Sequence, residues 1–249
     1  MNYYAPKCGT YALYDELMRE DTIMIGGLRG SGKSVFENGL IYSIANAYTP
    51  DEAELYLIDP KRVDLADWRV LPHVKRYTGD VEEAFDIIDE LIEIMDNRYK
   101  IMSGSYPTKK VWEGSDIYLI IDEITDLVTL TKKAFVAKMM PLILKSRAAK
   151  MHIICCSQSL ARATMPALMV SNMTVKVGLH VDMDIESRQI IGTKGCESLP
   201  KYGKAIIRRP GNGLETVDVP MYSDEHYSAM QSYYMSQRLA FMRRGKGGE

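Results

Sequence analysis

The sequence predicts an α/β fold: a mostly parallel, twisted sheet with flanking helices and a C-terminal β-hairpin. Three observations predict it. Five short apolar runs alternate with longer stretches of helical spacing, the pattern of strands joined by crossover helices. A glycine-rich run stands directly between the first of those strands and a helical stretch, where a phosphate-binding turn belongs. Two further strand-like segments flank Pro210-Gly211-Asn212-Gly213, a hairpin signal.

In chain order, the strands fall at residues 22–25, 55–58, 117–121, 152–156 and 173–179, all short enough for a sheet. Residues 81–102 place Ala84, Ile88, Leu91 and Met95 on one stripe of a long helix. The hairpin strands are expected at 205–208 and 215–219. A last helix begins at Ser223 or Asp224, both good N-caps, and runs toward Phe241. Tyr233, Tyr234 and Phe241 on that helix are expected to pack on the core, a face toward a neighbouring subunit being the alternative. Residues 1–20 read as a lead-in, the small charged residues 243–249 as a disordered tail, and 1–249 as a single domain.

Composition narrows the possibilities. The 249 residues, 46% hydrophobic, can bury a substantial core. No apolar run approaches the ~18 residues of a membrane span, and Met1 to Thr10 carry no leader pattern. These features predict a cytoplasmic protein, any membrane tether being supplied by a partner. Cys8, Cys155, Cys156 and Cys196 show no paired metal spacing and read as reduced, structural residues. A formal net charge of −2 excludes a global basic field, so any DNA contact must be local.

The run Gly27-Leu28-Arg29-Gly30-Ser31-Gly32-Lys33-Ser34, followed by Val35, matches the P-loop pattern in full. Glycines let successive amides point at phosphate oxygens, and the helix that follows presents its positive end to the same anion. Lys33 is expected to reach the β and γ phosphates of ATP, and Ser34 to hold Mg²⁺.

The run Ile117-Tyr118-Leu119-Ile120-Ile121-Asp122-Glu123 is a strand ending in two carboxylates. As a sheet neighbour of the P-loop strand it would deliver Asp122 to the metal and Glu123 to the attacking water. Glu123 argues for hydrolysis rather than binding alone, because a carboxylate beside a metal ligand can orient or deprotonate water. One of the two carboxylates capping the segment Ile124–Leu130 is the structural alternative.

The wider pattern resembles the FtsK/SpoIIIE family of DNA translocases. The resemblance is carried by Leu57-Ile58-Asp59-Pro60-Lys61-Arg62-Val63-Asp64-Leu65, Leu71-Pro72-His73, Arg98-Tyr99-Lys100-Ile101-Met102, Ser146-Arg147-Ala148-Ala149, Ser157-Gln158 and Ser187-Arg188. It covers residues 21–227. It implies a RecA-like motor core, ATP hydrolysis, double-stranded DNA as the track, and a homo-oligomer, typically a hexameric ring. It suggests Gln158 as the polar sensor of the γ phosphate. It also suggests Arg147 as an arginine finger supplied across a subunit boundary, with Lys145 and Arg188 as rivals; a finger is worth about 10³ to 10⁵ in rate where one acts.

Lys61, Arg62 and Arg162 are the implied contacts to DNA phosphates, because both loops leave the carboxyl ends of strands. For Lys61 and Arg62 the alternative is bracing of the nucleotide site or of the subunit interface. The clusters Lys109-Lys110 and Arg243-Arg244 read as solvated surface.

Departures from the family pattern fall mainly near the track. Gln158-Ser159-Leu160-Ala161-Arg162 stands where the family has Gln-Arg-Pro, Lys150-Met151 replaces a glycine before His152, and Glu186-Ser187-Arg188 replaces Asp-Ser-Arg. None of these removes an ATPase group. Segregation or conjugative transfer of DNA, viral genome packaging, and protein secretion are the functions open to such a motor.

Overall fold

Eight strands form one sheet: β1 (Thr22–Gly26), β2 (Ala53–Ile58), β3 (Val74–Thr78), β4 (Asp116–Ile121), β5 (Met151–Ser157), β6 (Val175–Gly178), β7 (Lys204–Arg209) and β8 (Gly213–Asp218). Their order is β3-β2-β4-β5-β1-β6-β7-β8. The first six in that order run parallel, and β7 and β8 close the sheet as an antiparallel hairpin. The helices are α1 (Ala12–Leu17), α2 (Lys33–Ala47), α3 (Val81–Gly104), α4 (Ile124–Leu130), α5 (Ala134–Lys145), α6 (Ala167–Asn172), α7 (Asp184–Ile191) and α8 (Asp224–Gly245). This computed structural model describes residues 11–245 apart from 159 and 161–164, with side chains to residue 236.

Alternation along the strands sorts side chains between two helical layers. Tyr56, Ile58, Leu119, Ile121, Ile153 and Cys155 share one core with Leu91 of α3, Leu127 of α4 and Leu142 of α5. Leu55, Leu57, Tyr118, Ile120, Ile154 and Cys156 share the other with Tyr14 of α1, Leu40 and Ile44 of α2 and Tyr234 of α8. Adjacent Cys155 and Cys156 therefore face opposite layers. Both are buried and free, as is Cys196; Cys8 lies outside the described residues.

All five expected strands, the long helix and the hairpin form. β3 was not expected: it is an edge strand paired only with β2, and its sequence Val-Lys-Arg-Tyr-Thr carries no apolar run. The lead-in contains α1, whose Tyr14 packs on α2 so closely that a Cβ at Gly39 would lie 2.4 Å from its ring. Helix α8 runs on through Arg243 to Gly245, into the expected tail. Its Tyr234 is buried edge-on to His73, with centroids 5.7 Å apart, whereas Phe241's side chain lies outside those described.

One expectation is corrected. β4, which Asp122 directly follows, is not a neighbour of β1: β5 lies between them, paired with β1 through Ile25↔Cys156 and with β4 through Ile121↔Cys155. Apolar strand sequences do not encode their order in a sheet. The interposed strand sets the acidic pair one strand further from the P-loop and places Gln158 between. Among the described residues no helix is long and apolar enough to cross a membrane.

Candidate active site

The P-loop leaves β1 at the carboxyl edge of the sheet. Gly27 is required by close approach, since a Cβ there would stand 2.6 Å from Ser31 Oγ and 2.7 Å from Leu179 Cβ. Gly30 and Gly32 hold φ of +75° and +96°, a region that disfavours side chains. Gly32 is the N-cap of α2 and brings no side-chain cap, so the first-turn amides of that helix remain open to an anion. Lys33 is buried, its Nζ donating to the carbonyls of Gly27 (2.8 Å) and Leu28 (3.0 Å). Burial lowers its pKa, and Glu123 and its acidic neighbours oppose that shift.

The acidic pair lies in the turn between β4 and α4. Asp122 is buried, with Oδ2 lacking a hydrogen-bond partner among the described residues. Burial first, then the charges of Asp64 and Asp59, push its pKa up to about 7. A buried carboxylate oxygen without a partner, near the first turn of α2 where Ser34 stands, fits a divalent cation or its water. Glu123 occupies the left-handed region with φ 51° and ψ 60°. Its Oε1 accepts from the Gln158 amide (3.1 Å) and Ser157 Oγ (3.4 Å), and its Oε2 from Lys61 Nζ (3.4 Å). Glu123 is the N-cap of α4 by position but makes no side-chain cap bond, so its carboxylate is turned to the cleft. Ser157 Oγ also shares a short hydrogen bond with Thr125 Oγ1.

Lys61 reaches Glu123 because Asp59 shapes its loop. Asp59, fully buried, accepts from the amides of Lys61 (3.1 Å) and Arg62 (2.9 Å) on Oδ1 and of Leu65 (3.0 Å) on Oδ2. Arg62 takes a left-handed φ of 58°, and a Cβ at Gly79 would lie 2.3 Å from its Cγ. Partial burial disfavours the Lys61 charge, and Glu123 and Asp122 outweigh it, holding its pKa above the ordinary lysine value. Lys61 thus sits on the acidic pair, while Arg62 is exposed. Arg162 lies outside the described residues.

These groups line one cleft of about 850 Å³, with Arg29, Gly30, Lys33, Ser34 and Val35 on the P-loop side and Asp122, Glu123 and Gln158 beyond. Arg147 is elsewhere. It follows α5 and precedes β5, so the seven residues of β5 separate it from Gln158, roughly 20 Å at ~3.3 Å per residue. Its side chain is 88% exposed, with Nε 3.5 Å from Asp21. The turn beneath it is pinned by buried Arg98, which donates to the Ala149 carbonyl at 2.5 Å. Lys145 is exposed, and Arg188 pairs with Asp184 at 3.4 Å on α7. Lys109 pairs with Glu113 on the surface.

Sequence reasoning missed Glu37. It lies one turn along α2 from Lys33 and Ser34, wholly buried, and burial followed by the Asp122 charge holds its carboxyl well above the usual range. A charged residue on the inner face of an apolar helix was the available signal.

A profile of the FtsK/SpoIIIE family matches residues 11–171. DNA translocase FtsK 1 of Neisseria meningitidis serogroup B is 27% identical over 259 residues, covering 90% of this chain and 32% of the relative. The chain spans about a third of the length of the curated relatives it matches. Among solved structures, EssC (ATPases 2 and 3) from Geobacillus thermodenitrificans superposes with a TM-score of 0.75 at 19% identity, over 91% of this chain and 45% of that one. The pCW3 conjugation coupling protein TcpA, solved with ATPgS, superposes with a TM-score of 0.70 at 17% identity, over 89% and 66%. At such identities the two structures share the fold.

Proposed function

Because the chain belongs to the FtsK/SpoIIIE family, we propose that it is a magnesium-dependent ATPase that moves double-stranded DNA as a ring of identical copies. One observation carries the reading: a P-loop, a buried acidic pair and Gln158 converge on one cleft, while Arg147 stands exposed at the opposite end of β5.

The roles follow from chemistry. The P-loop amides and Lys33 bind the phosphates, Lys33 exchanging the Gly27 and Leu28 carbonyls for phosphate oxygens. Ser34 and Asp122 are the residues to hold Mg²⁺, which offsets negative charge on the β and γ phosphates. Glu123, fixed by Ser157, Gln158 and Lys61, orients the attacking water and takes its proton. Gln158 senses the γ phosphate. Arg147 is too far from its own cleft to act there, which supports service to a neighbouring copy's phosphates. Arg62 and Arg162 are assigned to DNA phosphates, with Lys61 shared between the track loop and Glu123.

The test is the steady-state ATPase rate with long duplex DNA, single-stranded DNA and no polymer at one fixed low salt. Strong stimulation by duplex is expected. ATP binding and hydrolysis with no response to duplex would overturn the DNA reading and leave a protein cargo, as in secretion.

A further inference from the structure

The cleft carries one aromatic side chain among its described lining residues, Tyr202, 62% exposed. Its place in the fold gives it a direction. Along the carboxyl edge of the sheet, Glu123 follows β4, Gln158 follows β5, the P-loop leaves β1, β6 comes next, and Tyr202 lies in the turn before β7. Because β7 runs antiparallel to β6, its start lies at the same edge. The hydrolytic groups therefore flank the P-loop on one side and Tyr202 on the other. A nucleoside triphosphate whose γ phosphate points to Glu123 extends its base away from β4, toward β6 and β7.

The turn is anchored. The Leu28 amide in the P-loop donates to the His180 carbonyl (3.1 Å), and His180 Nδ1 lies 2.8 Å from the Leu199 carbonyl. Gly203 follows Tyr202 with φ of +81°, its carbonyl accepting from the Val219 amide at 2.9 Å. The Lys201 ammonium stands over the Tyr202 ring, 5.4 Å from its centroid. A solvent-exposed aromatic ring that lines the cleft, three residues beyond a Leu199 carbonyl tied through His180 to the P-loop, offers a face on which a heteroaromatic base can stack.

We propose that Tyr202 stacks on the base of the bound nucleotide and makes the site prefer a nucleotide to a bare polyphosphate. This rests on the nucleotide-binding reading of the P-loop. The test is equilibrium binding of ATP and of inorganic tripolyphosphate, each with Mg²⁺, to the wild type, Tyr202→Ala and Tyr202→Phe.

Tyr202→Ala is expected to weaken ATP binding about 5- to 150-fold, the change that stacking of about 1–3 kcal/mol produces. Its tripolyphosphate affinity should be unchanged, and Tyr202→Phe should restore ATP binding. Three outcomes overturn the base contact: Tyr202→Ala binding ATP as the wild type does, losing tripolyphosphate to the same degree, or not being rescued by Phe. Failure of the wild type to bind either ligand would instead bring down the nucleotide reading, and this inference with it.

Discussion

Glu123 holds a left-handed backbone, φ 51°, that costs a non-glycine residue about 1–2 kcal/mol. The Gln158 amide, Ser157 Oγ and Lys61 hold its carboxylate in place, the arrangement expected of a base kept in register with a water. Glu123→Gln should keep nucleotide affinity and lower kcat by about 10²- to 10⁴-fold, whereas Lys33→Ala should abolish binding; calorimetry and a coupled ATPase assay separate the two. Asp122 gives a pH prediction. Burial and the nearby Asp64 and Asp59 push its pKa from the ordinary 3.8 of an aspartate up to about 7, so its neutral form favours the folded state below pH 4 and that advantage is lost as pH rises from 4 to 7. Without Mg²⁺, Asp122→Asn should therefore be more stable than the wild type at pH 8, by up to about 4 kcal/mol, and close to it at pH 4, measured by urea denaturation. Adding Mg²⁺ should stabilise only the wild type. The P-loop and acidic pair were legible because each is contiguous in sequence. The Lys61–Glu123 contact was not, since it spans 62 positions and exists only because Asp59 folds its loop toward β4.

Among the elements, β1, β2, β4, β5 and β6 announced themselves as apolar runs because a central parallel strand is buried on both faces. β3 is an edge strand, with four of its five residues not fully buried, and such a strand offers no run to find. Strand order was equally hidden: whether β4 or β5 adjoins β1 depends on which crossover helix packs where. Helix α1 is six residues long, too short to show a period. Its seat is testable. Gly39→Ala places a Cβ 2.4 Å from Tyr14, and Tyr14 is fully buried with its hydroxyl donating to the Pro220 carbonyl at 2.8 Å. The ring cannot yield without losing that bond, so a loss of about 1–3 kcal/mol is expected on chemical denaturation, although alanine is the better helix former.

For the whole molecule, the two ends of the strands have different duties. The carboxyl edge gathers the cleft, and the amino edge exposes Arg147 on a turn braced by Arg98. If Arg147 serves a neighbour, Arg147→Ala and Lys33→Ala subunits should each be inactive alone. Mixed, they should recover part of the DNA-stimulated rate, because one ring then contains interfaces with an intact finger facing an intact P-loop. Absence of recovery at every mixing ratio would make Arg147 structural. The resemblance located Arg147; only the fold, by setting roughly 20 Å of strand between it and Gln158, separates it from its own cleft.

The cysteine pair of β5 has a practical consequence. Cys155 belongs to the layer of α3 and α5, and Cys156 to the layer of α1, α2 and α8. Two chemically identical thiols, one peptide bond apart, thus report on opposite sides of the protein. In variants retaining one or the other, with the remaining cysteines replaced, the rate of thiol alkylation in mild denaturant becomes a clock for each layer. Unequal rates would show that one set of helices lifts from the sheet before the other, and equal rates that the sheet loses both at once.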